Sequence, residues 1–136
     1  MGGSHENPLH GGIIMLAGAA LGGAAIQGLH AQAKPPVYYI AEIEVSNPDA
    51  YKDYATKAQA VIKAAGGKTV AVGGVAGPAK ITTYEGDPPK GRVVVQVWDS
   101  LAQIQAWRDS AAFKDVRKTG ETIAKFRSFA VEGLSQ

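Results

Sequence analysis

No lysine or arginine occurs before Lys34, and Glu6 is the one acidic residue in the first 33 positions. A packed water-soluble domain needs a charged outer face, so this segment and the remainder of the chain do not share one core. Within it, Gly11–Leu29 is a 19-residue apolar run broken only by Gln27. Ala31-Gln32-Ala33 follows, with small residues at the two positions read by an exported-protein peptidase, and then Lys34-Pro35-Pro36. An apolar run ending in A-x-A is the pattern of a secretory signal peptide. The run is also long enough to span a bilayer, and no lysine or arginine precedes it. Gly18 and Gly22 are spaced as G-x-x-x-G, and Ala24 and Gly28 likewise, a spacing that lets helices approach closely in a membrane. Residues 1–33 are therefore expected to be a signal peptide or a transmembrane anchor helix. Cleavage near Ala33 leaves an exported, periplasmic domain. Retention leaves a membrane-anchored accessory subunit whose helix, about residues 11–29, packs into a larger integral-membrane complex. Lys34 on the C-terminal side weakly favours a cytoplasmic domain by charge, whereas the A-x-A favours export.

All three histidines, His5, His10 and His30, lie in this segment. His10 and His30 are remote candidates for a metal or pigment magnesium in a membrane complex; a place at the headgroup level is the plainer expectation. Past Lys34 there is no histidine, and the chain has no cysteine. A His-based triad, a His or Cys metal site and a thiolate nucleophile are excluded there. Fourteen Lys+Arg against twelve Asp+Glu gives +2 with no basic run, so nucleic acid is not an expected partner.

Residues 34–136 read as a single domain. Val37–Val45 alternates, with Tyr39, Ala41, Ile43 and Val45 on one face and Tyr38, Ile40, Glu42 and Glu44 on the other, which predicts a strand. Ser46 is expected to cap a helix with Pro48 in its first turn. Tyr51, Tyr54, Ala55, Ala58, Val61, Ile62 and Ala65 form its apolar stripe, and Gly66-Gly67 ends it. Lys68–Val72 and Lys80–Glu85 are expected as strands, the second followed by a turn over Gly86–Gly91. Arg92–Trp98 is the clearest strand. Asp99-Ser100 opens a helix with Gln103 completing a capping box. The helical pattern continues, broken near Ser110, through Phe113, Val116, Ile123 and Ala124, and Ser128–Leu134 closes as a strand. The order β-α-β-β-β-α-β, one strand beyond βαββαβ, gives an α+β ferredoxin-like sandwich with both helices on one sheet face. The other face has no helix to cover it, and a homodimer through that open face is the economical solution.

The domain resembles the family known as domain of unknown function 1330, of the dimeric α/β-barrel superfamily. The resemblance rests on Tyr39–Val45 with Asn47-Pro48-Asp49-Ala50-Tyr51, on Lys63–Gly67, on Tyr84-Glu85-Gly86 and on Arg92–Val95. Trp107-Arg108-Asp109-Ser110 with Phe113 and Arg117, and Val131-Glu132-Gly133, complete it. Gln27–Ala33 also looks like the leader of the family's exported members. The resemblance implies a homodimer whose sheets enclose a cleft, and it implies no known reaction and no cofactor. The family usually has Asp before the first-helix proline; Asn47 keeps a turn residue and lacks the carboxylate.

Strand alternation suggests a site on the helix-free face. Glu42 and Glu44 are the candidate catalytic bases, for cofactor-free proton transfer or hydration. Arg92, Gln96, Trp98 and Glu132 are the candidate ligand-binding residues beside them. The plainer alternative is that Arg92 pairs with a glutamate across the dimer while Trp98 packs the interface. Tyr51, Tyr54 and Trp107 are expected in the core, and Arg117 as a solvated or interface charge with an anion contact as its lesser option. Gly73-Gly74 and Gly77-Pro78 read as turns, because the Lys-Ser/Thr of a phosphate loop is missing.

Overall fold

The computed structural model describes residues 34–136, of which Pro35–Gln136 forms a unit with its own core. The apolar run, Gly18, Gly22, Ala24, Gly28, His10 and His30 lie outside the described residues. Among those described, no helix is long and apolar enough to cross a membrane.

Four strands form one antiparallel sheet, β1 (Val37–Val45), β2 (Lys68–Gly74), β3 (Arg92–Trp98) and β4 (Ala124–Glu132), in the order β2-β3-β1-β4. Helix α1 (Pro48–Ala64) links β1 to β2, and α2 (Leu101–Asp109) and α3 (Ala111–Gly120) link β3 to β4. This is the ferredoxin-like sandwich, with the second helix broken in two. The break is made by Ser110, whose extended backbone ends α2 and whose hydroxyl accepts from the Phe113 N–H to cap α3. Ser100 and Gln103 form the expected reciprocal cap of α2, the Gln103 N–H to Ser100 Oγ and the Asp99 N–H to Gln103 Oε1. Helix α1 is capped one residue later than expected. Asn47 Oδ1 accepts from the Ala50 N–H at 3.1 Å, while the Ser46 hydroxyl turns away to the Ile123 carbonyl. Gly66, at φ +98, closes α1 in a conformation that an L side chain rarely adopts.

Two expected elements change. Lys80–Glu85 forms no strand: β-branched residues favour an extended chain, but a strand also needs a ladder partner. The segment offers only a bridge from Ala79 to Gly73 and is exposed throughout. The closing strand starts at Ala124 rather than Ser128, because α3 ends at Gly120 and the chain turns there, the Ile123 N–H bonding to the Gly120 carbonyl.

The core lies between the sheet and the helices. Val37, Tyr39, Ala41 and Ile43 of β1, Val94 and Trp98 of β3 and Ala124 of β4 meet Tyr51, Tyr54, Ile62, Ile104, Trp107 and Phe113. Register then corrects the face assigned to β3. Ile43 pairs with Arg92 and Tyr39 with Gln96, and directly paired residues share a face. Arg92, Gln96 and Trp98 therefore point under the helices, and not to the helix-free face with Glu42 and Glu44. The alternation of RVVVQVW points the other way, since Val93, Val95 and Val97 make the more apolar face and yet lie on the helix-free side. Glu132, paired with Val37, also lies on the helix-side register, exposed at the end of β4. The helix-free face carries Tyr38, Ile40, Val93, Val95 and Val97, with Phe129 and Val131 about 40–50% exposed (39% and 49%).

Candidate functional site

A cavity of about 50 Å³ opens between the sheet and the helices. β1 contributes Tyr39, Ala41 and Ile43 to it, β3 contributes Arg92, Val94 and Gln96, α1 contributes Tyr51, Tyr54 and Ala58, and α2 and α3 contribute Trp107, Phe113 and Arg117. Each side chain arrives there by local periodicity. Tyr51, Tyr54 and Ala58 fall at the 3–4 spacing that puts them on one face of α1, and Phe113 and Arg117 are four apart on α3.

The walls are aromatic. Trp107 packs edge-on against Tyr39 with ring centroids 5.2 Å apart and against Phe113 at 4.8 Å. Tyr51, Tyr54 and Phe126 form a row with spacings of 5.4 and 5.8 Å. Two cations sit on these rings. The Arg92 guanidinium lies 5.2 Å from the Tyr51 centroid, and that of Arg117 lies 4.8 Å from Phe113 and 3.8 Å from Phe126. Arg92 is further anchored by donation from Nη1 to the Ala76 carbonyl, in the loop after β2. Ala76 itself holds a left-handed φ of 55.

Most buried polar atoms are paired. The Tyr39 hydroxyl donates to Ser128 Oγ at 2.7 Å and accepts from Arg108 at 2.8 Å, and the Trp98 indole N–H donates to Gln96 Oε1 at 2.9 Å. Three donors are not: Arg92 Nε, Arg117 Nε and Trp107 Nε1 are buried without a partner among the described residues, and all three residues line this cavity. A buried donor left unmade costs about 1–3 kcal/mol, so such atoms in a native fold call for an explanation.

Of the residues proposed from sequence, Arg92 and Gln96 come together at the cavity. Trp98 lies deeper, 1% exposed and stacked on Trp107 at 5.0 Å. Glu42 stands on the opposite sheet face in an ion pair with Arg127, N to O 2.6 Å, with 39% of its side chain exposed. Glu44 is opposite Lys125 on that same face. An open depression there, about 430 Å³, gathers Glu42, Glu44, Asp87, Lys90, Lys125 and Arg127, charges of both signs in contact with water. Tyr51, Tyr54 and Trp107 lie in the core as expected and also line this cavity, and Arg117, expected as a solvated or interface charge, lines it with them. The readable signal for Arg117 was its place one turn after Phe113; its seat between Phe113 and Phe126 arises only when α3 and β4 meet.

Burial pushes the Tyr51 phenol above its ordinary value of 10.0, with Arg92 pulling it back, and burial raises Tyr54 likewise against the pull of Arg117. The folded state thus keeps these two protons to higher pH than the unfolded chain does. The stability they confer is fully present below pH 10.0 and falls as pH rises through that value towards the folded one. Urea midpoints measured across this range should fall above about pH 10, and less steeply in Tyr51→Phe and Tyr54→Phe. Slopes in both variants equal to that of the wild type would contradict the assignment.

The sequence profile of the domain of unknown function DUF1330 matches residues 36–134. The chain belongs to this family. No curated protein matches the DUF1330 chain in sequence. Solved structures do resemble it. SnoaB, a cofactor-independent oxygenase from Streptomyces nogalater, is 12% identical, with a TM-score of 0.55 over 75% of this chain and 96% of SnoaB. A protein of unknown function from Rhodopseudomonas palustris is 16% identical, with a TM-score of 0.56 over 83% and 94% of the two chains. A dimeric ferredoxin-like protein of unknown function from Thermobifida fusca is also 16% identical, with a TM-score of 0.52 over 73% and 92%. At these identities the likeness establishes the ferredoxin-like fold of the DUF1330 domain and nothing finer.

Proposed function

We propose that the DUF1330 domain binds a small organic molecule in the cavity between its sheet and its helices. The observation that carries this reading is the Trp107 indole N–H, in a residue only 4% exposed, unpaired at the wall of an aromatic cavity. A site of this size takes a small ring or a short chain, since about 10–15 Å³ of such volume accommodates one water. Filling the cavity from within is the direct test. Ala58→Leu adds three carbons at its wall, and small aromatic probes that raise the melting temperature of the wild type should lose that effect while the variant still unfolds cooperatively. Undiminished stabilisation of Ala58→Leu would place the ligand elsewhere.

The domain works, on this reading, as a homodimer joined through the helix-free faces. The exposed Tyr38, Phe129 and Val131 support it, as does the dimeric description of the Thermobifida fusca neighbour. Sedimentation equilibrium giving the monomer mass at micromolar concentration would refute it. Residues 1–33 act as the export address or membrane anchor, an idea supported by the apolar run Gly11–Leu29. The intact mass of the native protein separates the two forms, since cleavage leaves a chain beginning at Lys34.

A further inference from the structure

We infer that the ligand of this cavity carries a carboxylate, received between Arg92 and Arg117 beside the Trp107 N–H, on an apolar body of about one ring; this rests on the cavity being a binding site. The wall mixes donors with the hydroxyl and amide oxygens of its tyrosines and glutamines, but three of its donors stand out. Arg92 Nε, Arg117 Nε and Trp107 Nε1 are buried and unpaired. Two amide acceptors of the wall are committed elsewhere: Gln96 Oε1 takes the Trp98 N–H and Gln59 Oε1 takes the Thr69 hydroxyl at 2.8 Å. Among the described residues, no aspartate or glutamate lines the cavity. The two tyrosine phenols are neutral at physiological pH, and burial raises their pKa further, so they add no negative charge.

Two fixed positive charges therefore face a half-buried site that supplies no negative charge of its own, an arrangement stabilised by an anion. Ile43 links the two geometrically, pairing with Arg92 on β3 and with Phe126, the ring under Arg117, on β4. The guanidinium faces are taken by rings, Tyr51 for Arg92 and Phe113 and Phe126 for Arg117, and Arg92 Nη1 is taken by the Ala76 carbonyl, so the edges carrying the two Nε–H groups are what remains for an acceptor. Planar edge-on donation of this kind suits a carboxylate. The rest of the wall is apolar, with Ala41, Ile43, Ala58 and Val61 among it, which disfavours a fully hydrated dianion such as phosphate and favours an acid with a hydrocarbon body.

Benzoate and its neutral isostere benzamide are the probes, titrated calorimetrically into the purified protein at neutral pH. Benzoate should bind at least about tenfold more tightly than benzamide, a difference on the scale of one charged hydrogen bond. Arg92→Gln and Arg117→Gln should each bring that preference towards unity by weakening benzoate far more than benzamide, with cooperative urea unfolding showing that the fold survives the substitution. Equal affinity for the two probes in the wild type, or a preference that outlasts both substitutions, overturns the inference and leaves the cavity reading standing. Failure of both probes to bind removes the cavity reading together with the inference.

Discussion

Trp98→Ala lowers the stability of the domain by about 3–5 kcal/mol, seen as a large fall in the urea midpoint. Trp98 is 1% exposed, the largest side chain so completely enclosed among the described residues. Its loss removes the stack on Trp107 and opens a cavity beside Gly67 that the close-packed surroundings cannot refill. It also strips Gln96, 3% exposed, of the N–H that satisfies its side-chain oxygen, and a buried acceptor without a donor adds about 1–3 kcal/mol where it is not rehydrated. Native domains have about 5–15 kcal/mol in hand, so the variant should sit close to unfolding. A loss below about 1 kcal/mol would mean that the Trp98 site is solvated or able to collapse.

Gly67→Ala is the second large effect, and it works through the same indole. A Cβ at residue 67 would overlap the six-membered ring of Trp98, which has no free direction in which to move. Overpacking of this kind costs about 1–3 kcal/mol. The smaller ring of Trp98→Phe should relieve it. The double variant Gly67→Ala with Trp98→Phe is expected to be more stable than the sum of the two single losses predicts, by about 0.5–3 kcal/mol. Strict additivity would show that Gly67 acts through its backbone and not through Trp98.

Much of the fold could be read from local pattern. β1 and β3 are alternating apolar runs, α1 shows its stripe from Tyr51 to Ala65, and the capping box of Ser100 and Gln103 is present as read. What failed to appear in the sequence depends on tertiary pairing. Ile81, Thr82, Thr83 and Tyr84 have strand-forming side chains, yet no neighbouring edge receives them, and Tyr84 is 91% exposed. The orientation of β3 was misleading because Val93, Val95 and Val97 are more apolar than Arg92, Val94, Gln96 and Trp98, which face the helices. Only the pairing of Ile43 with Arg92 and of Tyr39 with Gln96 settles it. The site moved with that register. Arg92 and Gln96 were picked out by chemistry and turned out to line the helix-side cavity, while Glu42 and Glu44 stayed on the far side of the sheet. Arg117 carries a charge on a helix of otherwise polar surface, and nothing local marks it as seated between two aromatic rings from different elements.

The two tryptophans provide the most direct measurement of where a ligand binds, because each has one indole N–H signal in a nitrogen–proton correlation spectrum. That of Trp98 is committed to Gln96, whereas that of Trp107 is unpaired at the cavity wall. Benzoate bound in the cavity should move the Trp107 signal far more than the Trp98 signal and leave the backbone amides of Phe129 and Val131 in place. A titration that moves Phe129 and Val131 while Trp107 stays fixed would contradict a ligand site between the helices and the sheet.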